Sequence, residues 1–221
     1  MICAGCLGSP EGAVWVSLEL RQGALELCDT CLGELHESAQ DLKARRNPSR
    51  RAAAPVLHRS PNRLPALFGR VLRHPDLAPL WGPGAVNLDA GGGAFAHATD
   101  LLAARGVRNL VWDPYARTPA QNAAVLAQLA ATPPQTATLS LVLNVIRERR
   151  ERLALLAWVR EWLPRDGVLF ITVWRAREAG KRPHGTWQED RPLGHYQEEV
   201  DLLYARSERR GALLIAWNSG S

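Results

Sequence analysis

The segment 85–93, AVNLDAGGG, is a short apolar strand that runs into an acidic residue, Asp89, and a cluster of glycines. Glycines at such a bend let the backbone approach a ligand closely, and an aspartate at a strand end accepts hydrogen bonds from cationic or hydroxyl groups. A glycine cluster alone is weak as a motif. Its interpretation depends on the next elements of the chain.

A second strand comes after one helix. The helix is predicted from about His97 to Arg105, and the segment 106–113, GVRNLVWD, is a strand that ends on Asp113. An acidic side chain at this position can accept both ribose hydroxyls of a bound nucleoside. Strand, glycine bend, helix, strand and acid predict the start of a doubly wound, Rossmann-like α/β sheet.

Further elements continue this alternation. They are predicted at Pro119–Leu129 (helix), Ala137–Val145 (strand), Arg147–Trp162 (helix), Gly167–Trp174 (strand), and Glu198–Arg206 with Ala212–Trp217 (a closing antiparallel pair). Only residues 132–136 separate one helix from the next strand, which is too short for a regular third strand and its crossover. We therefore expect one strand of the usual pattern to be missing. The charges of Arg147 to Arg152 alternate in sign, which predicts a solvated helix face.

The cysteines all lie in the first 31 residues, as Cys3, Cys6, Cys28 and Cys31. Two CxxC pairs complete a closed tetrahedral Zn²⁺ site with no open position for substrate, so residues 1–40 are interpreted as a structural zinc module. The alternatives are two disulfides or a redox CxxC pair. Between the pairs, Ala13–Leu20 and Ala24–Leu27 predict a hairpin.

Residues 41–80 are interpreted as a basic, proline-containing connector with a helix at Leu64–Leu72, ahead of an α/β domain at 81–221. Leu42 to Pro75 contains nine basic residues, five prolines and no acidic residue. The connector is either an arm that contacts nucleic-acid phosphates or a solvated charged linker.

The composition bounds the class of protein. The chain has 221 residues, 46% of them hydrophobic, and a net charge of +5, which favours an anionic partner or simply solubility. No run of about 18 uncharged apolar residues is present, and Cys3 and Cys6 stand where a signal peptide would need a basic and apolar start. We expect a cytoplasmic protein without a membrane partner.

Four segments resemble a known family. They are LDAGGG at 88–93, WDPY at 112–115 with Arg117, Thr118 and Asn122, VLNVI at 142–146, and GTWQ at 185–188. Together they resemble phage- and plasmid-borne class I S-adenosylmethionine (SAM)-dependent methyltransferases. The VLNVI segment is also similar to methyltransferases associated with DNA phosphorothioation. The resemblance covers about Val86 to Trp217 and leaves out the cysteine module.

The resemblance implies a set of SAM-binding residues. It places Asp89 and the bend Gly91, Gly92 and Gly93 near the methionine part of SAM. It places Asp113 on the ribose and Tyr115 near the adenine. Asn144 is placed at the acceptor atom or at the SAM amine. Amino-methylating enzymes of DNA bases carry Pro-Pro-aromatic after this asparagine. The segment Asn144–Arg147 has no proline, which argues against methylation of an exocyclic amine of a base.

A polar segment comes after the last parallel strand, where an acceptor-binding loop is expected. Its candidates for acceptor contact or catalysis are His184, Trp187, Gln188 and Tyr196; the alternative is a plain surface connection with a partly buried tryptophan. His97 is a weaker candidate for a cofactor contact.

Two functions are compatible with these observations. The first is a SAM-dependent methyltransferase that acts on nucleic acid, DNA or RNA, held by the zinc module and the basic connector. The alternative is a non-catalytic binding or inhibitor protein that uses the same scaffold to engage nucleic acid or a host protein.

Overall fold

The structure, a computed structural model, describes residues 15–20, 23–28, 64–173, 180–181, 187–188 and 191–219. Its strands are β1 Trp15–Leu20, β2 Gly23–Cys28, β3 Val86–Ala90, β4 Arg108–Trp112, β5 Thr136–Ser140, β6 Val168–Thr172, β7 Gly180–Lys181, β8 Trp187–Gln188, β9 Arg206–Arg210 and β10 Leu213–Trp217. Its α-helices are α1 Ala66–Arg73, α2 His97–Ala103, α3 Pro119–Ala131, α4 Arg149–Trp162 and α5 Leu193–Asp201. Short 3-10 turns occur at Ala78–Trp81 and Leu143–Val145.

Six strands form the main sheet, in the order β4-β3-β5-β6-β10-β9. β4, β3, β5 and β6 are parallel, and β10 is antiparallel to both of its neighbours. The chain winds outward from β3 to β4, then returns past β3 to β5 and continues to β6. This confirms the predicted doubly wound sheet. Its winding reverses between β3 and β5, and ligands of such sheets bind at the carboxyl ends of the strands at that point.

Two hydrophobic clusters cover the two faces of the sheet. Because side chains alternate along a strand, Val168 and Phe170 of β6 face one cluster and Leu169 and Ile171 face the other. The first cluster contains α1 and α2. The second contains residues of α3, α4 and α5. Helices α2 and α3 lie on opposite faces of the sheet because their crossovers are both right-handed but run in opposite directions across it.

Helix α1 forms at the place where the connector was expected to become helical. Its Leu67, Phe68 and Val71 are fully buried against the sheet, and the ring of Phe68 stacks on Trp81 at a centroid separation of 5.5 Å. Trp81 meets Phe170 of β6 edge-on, also at 5.5 Å. A domain boundary at residue 81 would therefore separate α1 from the strands that it covers.

Among the described residues, no strand pairs with the outer edge of β4, so the expectation of a missing strand is confirmed. Helix α3 takes its place in the chain. It begins at a capping box in which Thr118 and Gln121 satisfy each other's backbone N–H groups, with Pro119 at its first position.

Two predicted element boundaries were wrong. β5 ends at Ser140 and not at Val145, because Leu141 adopts a left-handed φ of 62° and a 3-10 turn comes next. The closing pair is shifted as well. Residues 198–201 belong to α5, whose Leu193, Tyr196 and Val200 are buried at helical spacing, and the charged segment expected as the turn is the edge strand β9. The chain reverses after it, at Gly211 with φ 61°.

The predicted N-terminal hairpin is confirmed. β1 and β2 are antiparallel, with Leu20 opposite Gly23 and Trp15 opposite Cys28. The predicted ligands Cys3, Cys6 and Cys31 lie outside the described residues, and Cys28 is the last residue of β2. Within the described ranges no helix has the length and apolar character needed to cross a bilayer.

Candidate functional site

The glycine bend after β3 is shaped by close contacts. Gly91 and Gly93 have φ of +75° and +72°, and the Gly91 N–H donates to the Trp112 carbonyl at the end of β4 (2.7 Å). A Cβ on Gly91 would lie 2.6 Å from Val142 Cγ2, and one on Gly92 would lie 2.9 Å from Val111 Cγ1. A Cβ on Gly93 would meet nothing within 4 Å. The bend is therefore packed tightly on β4 and on the loop after β5, and it is open at Gly93.

Asp89 lies directly against this bend. Its side chain is 2% exposed, accepts a hydrogen bond from the Thr138 hydroxyl (2.8 Å), and has its Oδ2 beside Gly92. Burial raises the pKa of Asp89 to about 6, with a further increase from the nearby charge of Asp113, while hydrogen bonds from Thr138 and Asn109 partly oppose the shift. The fold thus holds a carboxyl group that ionises close to neutral pH.

Beneath the bend, Asp89 belongs to a buried network of polar side chains. The Trp81 indole donates to Thr136 (2.9 Å), Thr136 donates to Asn87 (2.8 Å), and Asn87 donates to Asn109 (2.7 Å). A longer contact of 3.3 Å joins Asn87 to Thr138 and so to Asp89. This network was not predicted from the sequence. Polar residues at alternate positions of otherwise apolar strands, 87 and 89 in β3 and 136 and 138 in β5, were the available signal.

Asp113 ties the end of β4 to the same bend. Its Oδ2 accepts from the Gly93 N–H (3.0 Å), and its Oδ1 accepts from the N–H groups of Tyr115 (2.8 Å) and Ala116 (2.9 Å). Arg117 donates from Nε to the Gly93 carbonyl (2.9 Å). The carboxylates of Asp89 and Asp113 therefore flank one glycine segment, Asp89 buried against Gly92 and Asp113 hydrogen-bonded to Gly93.

Asn122 of α3 holds the main chain of Asp113. Its Oδ1 accepts from the Asp113 N–H (3.0 Å), and its Nδ2 donates to the Asp113 carbonyl (2.9 Å). Beyond this clamp the loop is open to solvent, since the Tyr115 side chain is 55% exposed. On the other side of the bend, the exposed ring of Phe95 stacks on His97 at 6.1 Å.

The loop after β5 meets the glycine bend. Leu141 donates to the Thr172 carbonyl (2.8 Å), and its left-handed backbone is followed by Val142, whose side chain packs against Gly91. Asn144 is fully buried in the adjoining 3-10 turn. The backbone of β8, Trp187–Gln188, lies next to this turn. The structure thus brings Asn144 and part of the expected acceptor loop near the bend, while His184 lies outside the described residues.

Tyr196 is completely buried in the hydrophobic cluster formed with α4. The guanidinium of Arg152 lies over its ring, 5.6 Å from the centroid. The expectation of a solvated face over Arg147 to Arg152 was wrong for Arg152, which is 1% exposed. Its spacing to the buried Leu156 and Val159 places it on the inner side of α4, because residues four and seven positions apart share a helix face.

Arg152 forms a bidentate ion pair with Glu199 of α5, which is also buried. Its Nε donates to Glu199 Oε2 (2.8 Å) and its Nη2 to Oε1 (2.6 Å). Its Nη1 donates to the carbonyls of Ile146 (2.9 Å) and Arg147 (2.8 Å). One side chain therefore fixes the loop after Asn144 to both α4 and α5.

A pocket of about 350 Å³ lies at this ion pair; its lining residues are Arg147, Arg149, Arg152, Arg191, His195, Glu198 and Glu199. None of them was predicted as a site, because they come from two segments, 147–152 and 191–199, that are far apart in sequence. In the described part of the chain, no group of three or more His, Cys, Asp or Glu side chains is arranged to hold a metal ion.

Comparisons with known proteins bear on the fold. No protein-family model matches the chain, and no curated protein sequence matches it. Among solved structures, 1,6-didemethyltoxoflavin-N1-methyltransferase of Burkholderia thailandensis, with S-adenosylhomocysteine bound, aligns over 96% of this chain and 98% of its own, at 14% identity and a TM-score of 0.53. A sugar N-methyltransferase of Streptoalloteichus sp. aligns over 77% and 99% of the two chains, at 15% identity and a TM-score of 0.45.

An amino pentose methyltransferase of Micromonospora echinaspora, with SAM bound, aligns over 65% of this chain and 88% of its own, at 16% identity and a TM-score of 0.45. The likeness to the toxoflavin enzyme extends over nearly the whole of both chains. The chain therefore has the Rossmann-like fold of the class I SAM-dependent methyltransferases.

Proposed function

We propose that the chain is a SAM-dependent methyltransferase. The observation that carries this proposal is the glycine bend at the reversal point of the sheet, flanked by Asp89 and Asp113 and open at Gly93. A nucleoside cofactor fits there because close approach to the backbone is possible only where a Cβ is absent. The toxoflavin enzyme, which has the same fold, holds S-adenosylhomocysteine.

When bound, SAM supplies an electrophilic methyl group on a sulfonium. The residues of this chain bind and orient it. Gly93 admits the cofactor, and Asp113 Oδ2, which accepts one backbone hydrogen bond, retains a lone pair for a ribose hydroxyl. Methyl transfer by in-line displacement depends on alignment and exclusion of water, so a strong general base is not required. For Asn144, Tyr196 and His184 a role at the acceptor stays a prediction.

Calorimetric titration of the full chain with SAM and with S-adenosylhomocysteine tests the proposal. We expect the wild type to bind both and Asp113→Ala to bind at least roughly tenfold more weakly, the loss of about one charge-assisted hydrogen bond. Asp166→Ala, at an exposed turn near the amino end of β6, is the matched control and should bind like the wild type. Absence of binding to either ligand by the folded wild type would contradict the proposal and favour the non-catalytic binding protein.

We further propose that Cys3, Cys6, Cys28 and Cys31 hold one structural Zn²⁺, which would staple the N-terminal hairpin. Elemental analysis should find about one zinc per chain in the wild type and none in a Cys28→Ser/Cys31→Ser variant. Alkylation of the unfolded, unreduced chain should modify all four thiols. Unmodified cysteines would instead indicate disulfides.

The nature of the acceptor is a separate proposal. The basic connector supports a nucleic acid, whereas the acceptor named for the toxoflavin enzyme is a small molecule. Transfer of labelled methyl groups from SAM to DNA, RNA, protein and small-molecule fractions of the native host identifies the class directly.

A further inference from the structure

We propose that Thr138 is a positioning residue of the cofactor site: its hydroxyl holds the carboxylate of Asp89 beneath the glycine bend, as a fixed negative charge that attracts the positively charged SAM. This inference rests on the proposed methyltransferase function and deepens it. It assigns a role in cofactor binding to a buried threonine of β5 that lies outside the four segments of the family resemblance.

The carboxyl group of Asp89 is held from two sides. Its Oδ1 accepts a hydrogen bond from the Thr138 hydroxyl (2.8 Å), and the two residues are paired where β3 and β5 run in parallel. Its Oδ2 lies against Gly92, where a Cβ would overlap it. Because Asp89 is 2% exposed and Thr138 is fully buried, the protein and not the solvent determines where this charge lies.

The direction of the Thr138 hydrogen bond follows from the donors behind it. The indole N–H of Trp81 can only donate, so Thr136, which accepts from it, gives its own proton to Asn87 Oδ1. The other end of this carboxamide is then the NH₂ group, which donates to Thr138 (3.3 Å). Thr138 keeps its single proton for Asp89. Every donor in this chain points towards the carboxyl group, which favours the ionised form.

Ionisation of Asp89 depends on several neighbours. Burial, the largest influence, raises the pKa of Asp89 to about 6, and the hydrogen bonds from Thr138 and then from Asn109 oppose this increase. Two charged groups of the segment after β4 also act on Asp89: Asp113 raises the pKa and Arg117 lowers it. Among the influences that favour the ionised form, the Thr138 hydroxyl is the strongest, so its loss should raise the pKa further.

An ionised carboxylate in this position opposes folding but favours a cationic ligand. Since burial makes the charge costly to the native state, a charge retained at neutral pH is expected where a ligand makes use of it. SAM carries a sulfonium and an ammonium group against a single carboxylate, and is therefore a cation. Coulomb attraction extends over several ångströms in a site shielded from water, so Asp89 can attract SAM without touching it. Thr138 acts on SAM binding through Asp89.

The pH dependence of SAM binding tests the inference. Calorimetric titration of the full chain between about pH 5 and pH 8.5 should show an affinity that falls roughly tenfold as the pH drops through about 6, because Asp89 then takes up a proton. Thr138→Val keeps the shape of the side chain and removes the hydroxyl, so the fall should begin about one pH unit higher. At the alkaline end Asp89 is ionised in both proteins, and the two affinities should converge. Ionisation of SAM itself is common to both titrations and cancels.

Two further variants separate the hydroxyl from a general effect of substitution. Thr138→Ser retains the hydroxyl and should restore the wild-type pH profile. Thr172→Val is the matched control, because Thr172 is a buried threonine of β6 that takes no part in the Asp89 network described above. It should bind SAM with the wild-type profile.

Carbon-13 NMR of the Asp89 carboxyl group follows its ionisation without any ligand. We expect a midpoint near pH 6 in the wild type and in Thr172→Val, and about one pH unit higher in Thr138→Val. The wild type alone provides a second test if Thr138→Val does not fold. The signal of the Thr138 hydroxyl proton should then change with the same midpoint as the Asp89 carboxyl group, because the two groups share a hydrogen bond.

The two measurements separate this inference from the proposed function. An equal loss of SAM affinity in Thr138→Val at every pH would show a merely structural role and overturn the inference. An Asp89 titration that the substitution leaves in place, or a Thr138 hydroxyl signal that does not follow it, would overturn it as well. Wild-type SAM binding that is independent of pH overturns this inference alone. Failure of the folded wild type to bind SAM at any pH contradicts the proposed function, and with it the cofactor role of Thr138, whatever the NMR titration shows.

Discussion

Asp89 is a carboxyl group that the fold holds away from water, with a pKa raised from 3.8 to about 6. A raised pKa means that the native state favours the protonated acid. The stabilising effect is complete below pH 4 and is lost as the pH rises through 6. At neutral pH the ionised group then costs on the order of 3 kcal/mol of folding free energy relative to a neutral side chain.

Asp89→Asn should therefore be more stable than the wild type at pH 8, by up to about 3 kcal/mol, in the absence of cofactor. The difference should shrink towards pH 4, because both side chains are then neutral. Urea denaturation across this pH range measures it. Asp166→Asn, an exposed carboxylate, is the control and should show no such trend. A difference independent of pH would contradict the raised pKa.

In contrast to Asp89, the carboxylate of Glu199 is expected to stabilise the native state when it is ionised, because it pairs with Arg152. Glu199→Gln leaves the buried guanidinium without its counter-charge and should destabilise the chain by about 3–5 kcal/mol. Glu148→Gln is the matched control, since that side chain is 56% exposed and 3.8 Å from Arg147, and it should change stability by less than about 1 kcal/mol. Comparable unfolding midpoints for the two variants would count against a structural role for the pair.

Sequence reasoning identifies individual residues when a motif fixes their neighbours. The spacing of Asp89 and Asp113 predicted that two carboxylates would meet at one bend, and in the structure both flank it. The charged residues of α4 were assigned to solvent, because alternation of sign carries no information about the partner helix. Only the tertiary structure brings Glu199 to Arg152.

At the scale of elements, the glycine bend tolerates a side chain poorly. Gly92→Ala would place its Cβ against the Asp89 carboxylate and 2.9 Å from Val111 Cγ1. We expect a loss of about 1–3 kcal/mol of stability from overpacking and weaker SAM binding. Gly69→Ala in α1 is the control, because its Cβ would meet nothing within 4 Å, and it should stabilise the chain by about 0.5–1 kcal/mol. Thermal melts and calorimetry of both variants test this pair.

Element prediction succeeded where periodicity was strong and failed where a charged segment was structured by its surroundings. β3, β4 and β6 are short strands whose residues are mostly buried. Most of β9, Arg206–Arg210, falls in the segment Ser207–Gly211, which was predicted as a turn because it is polar. As an edge strand it can be charged, since only one side of its backbone is paired, and charge there discourages pairing with other chains.

At the scale of the whole molecule, α1 determines where the chain can be cut. Removal of residues 1–80 would expose the sheet surface that Leu67, Phe68 and Val71 cover. We expect a chain of residues 64–221 to keep a cooperative thermal transition. A chain of residues 81–221 should melt more than about 10 °C lower or fail to fold. Similar transitions for both would show that α1 is dispensable.

The overall architecture was predictable because strand, helix and glycine signals agreed with one another. The pocket between α4 and α5 was not, since it needs the relative placement of two helices that are separated by a strand and a hairpin. The N-terminal hairpin was predictable from two short apolar segments, and its strands pair from Leu20 and Gly23 to Trp15 and Cys28.

The hydrogen bonds between Asn122 and Asp113 also affect the edge of the sheet that β4 forms. Arg108 N–H and Trp112 C=O both point towards β3, so the amides of Asn109, Val111 and Asp113 point outward. At Asp113 the carboxamide of Asn122 donates and accepts as a peptide group of an adjoining strand would, and thus imitates one rung of the strand that the sheet lacks.

Hydrogen–deuterium exchange rates of individual amides should test this pairing. We expect the Asp113 amide to exchange slowly and those of Asn109 and Val111 to exchange faster, a pattern that Asn122→Ala would abolish by releasing Asp113 alone. The carboxamide thereby terminates the sheet at the position where Asp113 turns towards the glycine bend.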